Sequence, residues 1–170
     1  MAFGKFAKYS PDEISFNPRQ FDLVKEIDTL VDYVRREDAA RHSLSFRSTA
    51  TALSAHTDPV HLKYILVNLL QNAVKYSAPG TAIEVALHEQ DNTALLVVTD
   101  QGIGIPGDAL DELFSPFYRA NNVDGRPGTG LGLAIVKRAA RIIGARLEVD
   151  SKLDSGTRFT VHIPLRGGFN

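Results

Sequence analysis

The stretch from Asp58 to Tyr76 constrains the fold of this chain more than any other. Its apolar residues recur at intervals that would give a helix one wide buried stripe. Asp58 is a good N-cap residue and Pro59 suits the first helical turn, so we expect the helix to begin there. The apolar positions of the predicted stripe are Val60, Ile65, Leu66, Leu69, Leu70, Ala73 and Val74.

Two asparagines interrupt this apolar helix. Asn68 and Asn72 are four residues apart and therefore lie one above the other on a helix face, with Lys75 and Tyr76 a turn further on. Amide oxygens, a cation and an aromatic ring would suit a metal ion, a phosphate and a flat ring. A half-exposed helix with a polar edge would look the same, so this stretch alone leaves both interpretations open.

Two glycine-rich segments lie downstream. Residues 100–106, DQGIGIP, follow an apolar run at 94–99 that predicts a strand. Residues 126–136, RPGTGLGLAIV, open a predicted helix, where glycines free backbone N–H groups to bind phosphate. A dinucleotide-binding turn is a weaker interpretation, because the strand that it requires immediately before the glycines is missing, although Asp150 follows Gly130 at a suitable distance.

In this order and spacing, the three segments resemble the N box, G1 box and G2 box of the histidine kinase catalytic domain. That domain is a branch of the ATPase superfamily shared with gyrase, Hsp90 and MutL. Between them, residues 113–120, LFSPFYRA, resemble the F box. The resemblance implies the Bergerat ATP-binding fold, a two-layer α/β sandwich with a mixed sheet, and the predicted helices and hairpins favour the same α/β class.

The resemblance also implies ATP and Mg²⁺ as ligands of the central helix. Asn72 would be the magnesium ligand, and Asn68 would support the metal and its waters. Magnesium favours oxygen ligands and commonly meets a protein through one or two groups. Lys75 would offer its charge to the phosphates. Tyr76 would pack beside the nucleoside, although core packing at the helix end explains this residue equally well.

The first glycine-rich segment would hold the adenine. By resemblance, Asp100 accepts a hydrogen bond from the exocyclic amino group, directly and through a water. Gly102, Gly104 and Ile105 would shape the pocket wall, and Thr157 matches a position near the adenine water. The alternative role for Asp100 is to cap the turn that follows it.

The second glycine-rich segment would hold the triphosphate at the start of its helix. Arg119 and Arg126 lie in the polar segment 118–128, which we expect to form a mobile loop over the site. These arginines would reach the phosphates when the loop closes, or would remain solvated loop cations. The residues that would line the phosphates are Gly128, Thr129, Gly130, Leu131, Gly132 and Leu133.

The position of Asn68 bears on the reaction. Hydrolytic members of the superfamily carry a glutamate one helical turn before the magnesium asparagine, and a neutral amide is a poor general base. The resemblance therefore implies transfer of the γ-phosphate to a histidine, and from there to an aspartate of a response regulator. A hydrolytic ATPase or serine kinase of the same superfamily, or a degenerate nucleotide-sensing module, are the alternatives.

The acceptor histidine is expected on the dimerisation and histidine phosphotransfer domain of the same protein. Its usual setting is a His followed by Glu or Asp within an amphipathic helix. None of the five histidines has this setting, and we expect structural or surface roles for them. They are His42, His56, His61, His88 and His162.

Composition narrows the partners. The chain has 170 residues, 44% of them hydrophobic, which suffices for one domain with a core. Its net charge of -1 and interspersed signs argue against nucleic acid as the main partner. The sequence has no long apolar segment, so we expect a cytoplasmic location without direct membrane contact, any anchor lying elsewhere in the parent protein. The absence of cysteine excludes disulfides and thiolate metal sites.

We expect residues 1–20 to be a linker and residues 21–170 to be the catalytic ATP-binding domain. Residues 1–20 lack periodicity and contain Pro11 and Pro18. By resemblance they would end the phosphoacceptor helix hairpin of a larger protein. The patterns predict helices at about 25–41, 59–76, 106–114 and 130–144, and strands at about 21–24, 44–47, 52–55, 81–89, 94–99, 145–150 and 157–165.

Overall fold

The structure, a computed structural model, describes residues 15–123, 125–126 and 128–166. Helices pack on one face of a five-stranded sheet, and a two-stranded sheet lies beside them. The helices are α1 (Leu23–Asp38), α2 (Pro59–Tyr76) and α3 (Gly132–Ile142). The strands are β1 (Arg19–Asp22), β2 (Ser43–Ser48), β3 (Ser54–Thr57), β4 (Ala82–Gln90), β5 (Thr93–Asp100), β6 (Arg146–Lys152) and β7 (Gly156–Pro164).

The large sheet is mixed. Its strand order is β2-β4-β5-β7-β6, in which β2 and β4 are parallel and the remaining neighbours are antiparallel. The parallel pair needs a crossover, which passes through β3 and α2 and so carries the central helix across the sheet. The predicted two-layer α/β sandwich with a mixed sheet is confirmed.

The core forms where the sheet meets the helices. Alternate residues of β4, β5 and β7 point to this face and are buried, as the period of two requires. Helix α2 contributes the largest set of fully buried side chains, and α1 and α3 flank it. The fully buried members from α2 are Leu62, Ile65, Leu66, Leu69 and Leu70.

Aspartates begin two of the helices. Asp58 accepts a hydrogen bond from the Val60 N–H at 2.9 Å, which confirms it as the N-cap of α2. Asp22 accepts from the N–H groups of Val24 and Leu53, both at 3.0 Å, and so ties the start of α1 to the loop before β3. The bonds to Val60 and Val24 satisfy backbone donors that a helix leaves unpaired at its N-terminus.

Several predicted boundaries differ from the structure. Val60, predicted in the buried stripe, is 53% exposed, whereas its helix neighbours Pro59 and His61 are buried, so Val60 lies on the solvent side of the first turn of α2. The helix predicted at 106–114 is a short 3-10 helix over Gly107–Glu112, with Leu113 buried just after it. The short strands β1 and β3 are antiparallel partners and form a separate two-stranded sheet.

The predicted linker lies mostly outside the described residues. Residues 1–14 are among those that the structure does not describe, and residues 15–18 have no regular secondary structure. Strand β1 begins at Arg19, inside the range predicted as linker. The assignment of residues 1–20 to a linker and hairpin end therefore stays a prediction. None of the helices in the described part of the chain combines the length and apolarity that a bilayer span requires.

Gly156 permits a close approach of two strands, which yields a stability prediction. Its φ is +102°, and a side chain there would overlap the carbonyl oxygen of Asp100. We therefore expect Gly156→Ala to lower the free energy of unfolding by about 2 kcal/mol or more. Gly80, with φ +86° and no atom within 4 Å of the added carbon, is the control. In urea unfolding, Gly80→Ala should lower the free energy of unfolding by only about 1 kcal/mol. An equal decrease in the two variants would contradict the overlap with the Asp100 carbonyl oxygen.

Candidate functional site

The two asparagines of α2 face the start of α3. A methyl group built on Gly132 would lie 3.3 Å from Asn68 Oδ1 and 3.9 Å from Asn72 Oδ1. The Nδ2 atom of Asn68 donates to the carbonyl oxygen of Tyr64 at 2.7 Å. Because this bond engages the amino group, the amide of Asn68 presents its oxygen toward Gly132. The structure thus brings the predicted N box and G2 box together.

Lys75 lies against the same glycine-rich segment. Its Nζ atom is 4.9 Å from the ring centroid of Tyr76 and is so close to Gly128 that a side chain there would overlap it. The ammonium group therefore stands between the end of α2 and the segment that leads into α3. A cation in this position can neutralise an anion bound at the start of α3.

Among the described residues, no side chain caps the start of α3. The helix begins at Gly132, and just before it the hydroxyl of Thr129 accepts from the Leu131 N–H at 3.4 Å. Uncapped N–H groups and the positive end of the helix dipole favour an anion at this position. Gly130 connects this segment to the predicted F box, because its carbonyl oxygen accepts from the Phe117 N–H at 3.0 Å.

The two arginines of segment 118–128 make contacts within the protein. Arg126 donates to the carbonyl oxygen of Lys75 at 3.1 Å, with its guanidinium 6.0 Å from the ring centroid of Tyr76. Arg119 donates to the carbonyl oxygens of Val123, at 3.3 Å, and of Arg126. Arg126 therefore lies beside the predicted nucleoside position, whereas Arg119 supports the segment itself. Their predicted contacts with phosphate remain predictions.

Asp100 ends β5 with a half-buried carboxylate. Its Oδ1 accepts from the Gly102 N–H at 2.8 Å, and the carboxylate also accepts from the backbone N–H of Thr157. Burial raises the pKa of Asp100 above its ordinary value, and these two hydrogen bonds partly oppose the shift. The carboxylate does cap its turn, as the alternative role supposed, and still has lone pairs for a ligand.

The first glycine-rich segment packs tightly between α2 and β6. A methyl group on Gly102 would lie 2.6 Å from the carbonyl oxygen of Tyr76, and the same oxygen accepts from the Ile103 N–H at 3.1 Å. A side chain on Gly104 would overlap the carbonyl oxygen of Lys152. The glycines therefore allow this segment to approach both neighbours, and they place Asp100 close to the end of α2.

The sequence analysis missed two polar residues at this site. Ser151 on β6 bonds to the Ile105 N–H at 2.8 Å and to Thr157 Oγ1 at 2.8 Å. Asn122, in a short 3-10 helix of segment 118–128, donates to the carbonyl oxygen of Gly104 at 2.9 Å. The alternation of β6 places Ser151 on the inner face, but only its pairing with β7 puts it beside Thr157.

Two of the histidines are buried and hydrogen-bonded. His42 bonds through Nδ1 to Asp38 Oδ1 at 2.8 Å and through Nε2 to the carbonyl oxygen of Ser77 at 3.1 Å. His61 Nε2 lies 3.3 Å from the carbonyl oxygen of Ser15. These contacts connect separate segments and agree with the structural role that we expected.

The site therefore offers different chemistry at its two ends. One end presents amide oxygens, an ammonium group and the N-terminus of α3, which suit a polyphosphate and its counterion. The other end presents the carboxylate of Asp100 and the hydroxyl of Thr157, which suit a hydrogen-bond donor on a flat base. The end of α2 joins the two.

Comparisons of sequence and of structure with known proteins point to the same family. Residues 57–167 match the family model described as histidine kinase-, DNA gyrase B- and HSP90-like ATPase. The chain is 35% identical over 159 residues to the signal transduction histidine-protein kinase/phosphatase MprB of Mycolicibacterium smegmatis, covering 92% of this chain and 32% of that protein. It thus spans about a third of the length of this curated relative.

Solved structures share the fold. A mycobacterial sensor histidine kinase MprB structure is 34% identical, with a TM-score of 0.75, and the match covers 89% of this chain and all of that one. Full-length ShkA in complex with AMPPNP is 23% identical, with a TM-score of 0.79, over 92% of this chain and 33% of that one. The second match shows the fold alone.

The raised pKa of Asp100 gives a prediction for titration. Since burial favours the protonated carboxyl in the folded state, NMR titration of its side-chain carbon should give a pKa above the ordinary 3.8. The sign for stability follows: the folded protein holds the proton longer than the unfolded chain. Its stability should therefore fall as the pH rises from 3.8 through the raised pKa. A measured pKa at or below 3.8 would contradict the described burial of this carboxyl.

Proposed function

The chain belongs to the histidine kinase-, DNA gyrase B- and HSP90-like ATPase family, and within it we propose that this chain is the ATP-binding catalytic domain of a two-component sensor histidine kinase. It would transfer the γ-phosphate of ATP to a histidine on a dimerisation domain. The similarity to MprB, a histidine kinase in name, supports this choice within the family.

One observation carries the proposal. The amide oxygens of Asn68 and Asn72 face Gly132 at the uncapped start of α3. Oxygen ligands for a cation thus lie opposite backbone donors for an anion, which is the arrangement that a metal-bound polyphosphate requires. Asp100 stands at the far end of α2, where it would accept from the amino group of adenine.

The asparagine pair fits Mg²⁺. Both side chains offer neutral oxygens, and magnesium usually keeps several waters and phosphate oxygens besides one or two protein ligands. We propose that Asn72 ligates the metal and that Asn68, held by its bond to Tyr64, supports it. The metal would neutralise phosphate charge when bound.

The residues of this chain would act by positioning. Lys75 offers a fixed positive charge beside Gly128, and the first turn of α3 offers backbone N–H groups. Phosphoryl transfer depends mainly on such positioning and charge stabilisation. Asn68 cannot act as a general base because its amide is neutral, so the site would retain ATP until an acceptor arrives.

The acceptor would come from elsewhere in the parent protein. We propose that a dimerisation and histidine phosphotransfer domain supplies the histidine, and that a response regulator then receives the phosphate on an aspartate. Since ATP is the donor, the proposal places this domain in the cytoplasm. The polar segment 118–128 would close over the nucleotide, with Arg119 and Arg126 near the phosphates.

The role of Asn72 can be tested by calorimetry. We expect Asn72→Ala to weaken binding of a non-hydrolysable ATP analogue about tenfold or more in magnesium, and to abolish the effect of adding magnesium, because the metal loses its amide ligand. Gln71→Ala, one position earlier on the same helix, is the matched control and should behave as the parent chain. Unchanged affinity in Asn72→Ala would show that the metal assignment is wrong.

The reaction can be tested with radiolabelled ATP. Incubated with magnesium and ATP labelled at the γ-phosphate, the chain alone should release little phosphate. Addition of the phosphoacceptor helix hairpin of the parent protein should give a labelled hairpin, and replacing its acceptor histidine should remove the label. Steady phosphate release that the hairpin does not change would instead indicate a hydrolytic ATPase.

A further inference from the structure

Three polar residues form a row across neighbouring strands at one end of the large sheet. Thr157 on β7 is the register partner of Asp100 on β5 and of Ser151 on β6. Directly opposed residues of antiparallel strands point to the same face, so the three side chains are neighbours. Asp100 and Thr157 have roles in the proposed base site. Ser151 has none.

The hydroxyl of Ser151 has three hydrogen-bonding partners but only one proton to donate. It lies 2.8 Å from the Ile105 nitrogen, 2.9 Å from the Gly156 carbonyl oxygen and 2.8 Å from Thr157 Oγ1. The nitrogen can only donate and the carbonyl can only accept, so Ser151 accepts from Ile105 and gives its one proton to Gly156. Thr157 must then donate its own proton to Ser151.

Thr157 therefore keeps lone pairs but no proton for a ligand. The neighbouring backbone donors are engaged as well. The N–H groups of Gly102 and Thr157 both donate to the Asp100 carboxylate, and the Ile103 N–H donates to the Tyr76 carbonyl oxygen. The corner formed by Asp100 and Thr157 thus presents acceptors.

We propose that Ser151 makes this corner a hydrogen-bond acceptor. It thereby sets the preference of the site for a base that presents an amino group to the corner over a base that presents a keto group there. The inference rests on the proposed binding of ATP. An amino group can donate to the corner, whereas a keto oxygen would face other acceptors and leave buried groups unpaired. Ser151 is a positioning residue, because it acts through the hydroxyl of Thr157.

The test compares ADP with IDP, whose base has a keto oxygen where adenine has its amino group. Calorimetry in magnesium should show that the parent chain binds ADP more tightly than IDP. In Ser151→Ala the Thr157 hydroxyl is free to turn its proton to the ligand. We expect the ratio of ADP affinity to IDP affinity to fall about tenfold, because IDP binds more tightly while ADP binding changes little.

Matched variants separate this role from general support of the fold. Ser155→Ala changes an exposed serine in the same β6–β7 turn and should keep the parent ratio. Ser151→Thr keeps a hydroxyl and should therefore also keep the parent ratio of ADP to IDP affinity. Adding Thr157→Val to Ser151→Ala removes the hydroxyl whose proton was freed, and should restore the preference for ADP over IDP. If Ser151→Ala does not fold, Ser151→Cys offers a similar shape with a poor acceptor and should narrow the ratio.

The outcomes distinguish the inference from the proposed function. If the parent chain bound neither nucleotide, the proposed function would fail and the inference with it. If the parent chain bound ADP but Ser151→Ala kept the same ratio, or weakened both nucleotides equally, only the role of Ser151 would be overturned. If the ratio of ADP to IDP affinity stayed low in the double variant with Thr157→Val, Ser151 would not act through the Thr157 hydroxyl.

Discussion

Burial of one face of α2 is the constraint on which the rest of the structure depends. Leu62, Ile65, Leu66 and Leu70 are completely buried between the sheet and the flanking helices. Burying such side chains contributes roughly 1.5–3 kcal/mol each, so the helix has one favourable rotation about its axis. That rotation leaves the asparagine edge opposite the start of α3. The polar edge is therefore positioned by the apolar one.

The last turn of α2 shows how the remaining segments are held. A helix leaves its final carbonyl groups unpaired, and here two of them and the carbonyl of the next residue are paired with three different parts of the chain. The carbonyl oxygen of Lys75 accepts from Arg126, that of Tyr76 from Ile103, and that of Ser77, just beyond the helix, contacts His42. Backbone pairing at one helix end thus gathers segment 118–128, the first glycine-rich segment and the α1–β2 connection around the site.

The two ends of the site come from different kinds of element. The phosphate end uses the face of one helix and the N-terminus of another, where dipoles and free N–H groups favour negative charge. The base end uses a row of side chains across β5, β7 and β6, where strand register decides which groups meet. In the proposed function the first end would hold the reacting group, and the second would select the nucleotide.

The sequence by itself determined the elements and most of the residues that face the site. Apolar periodicity and capping located α2, because its burial and its start depend on residues close in sequence, and the glycine pattern located the segments that approach it. Only the tertiary structure decided that Asn68 turns its oxygen toward Gly132, that Val60 faces solvent, and that Ser151 meets Thr157. Those contacts join residues through strand register and helix packing, and neither is encoded by local spacing, since a register shift of one residue would change every partner.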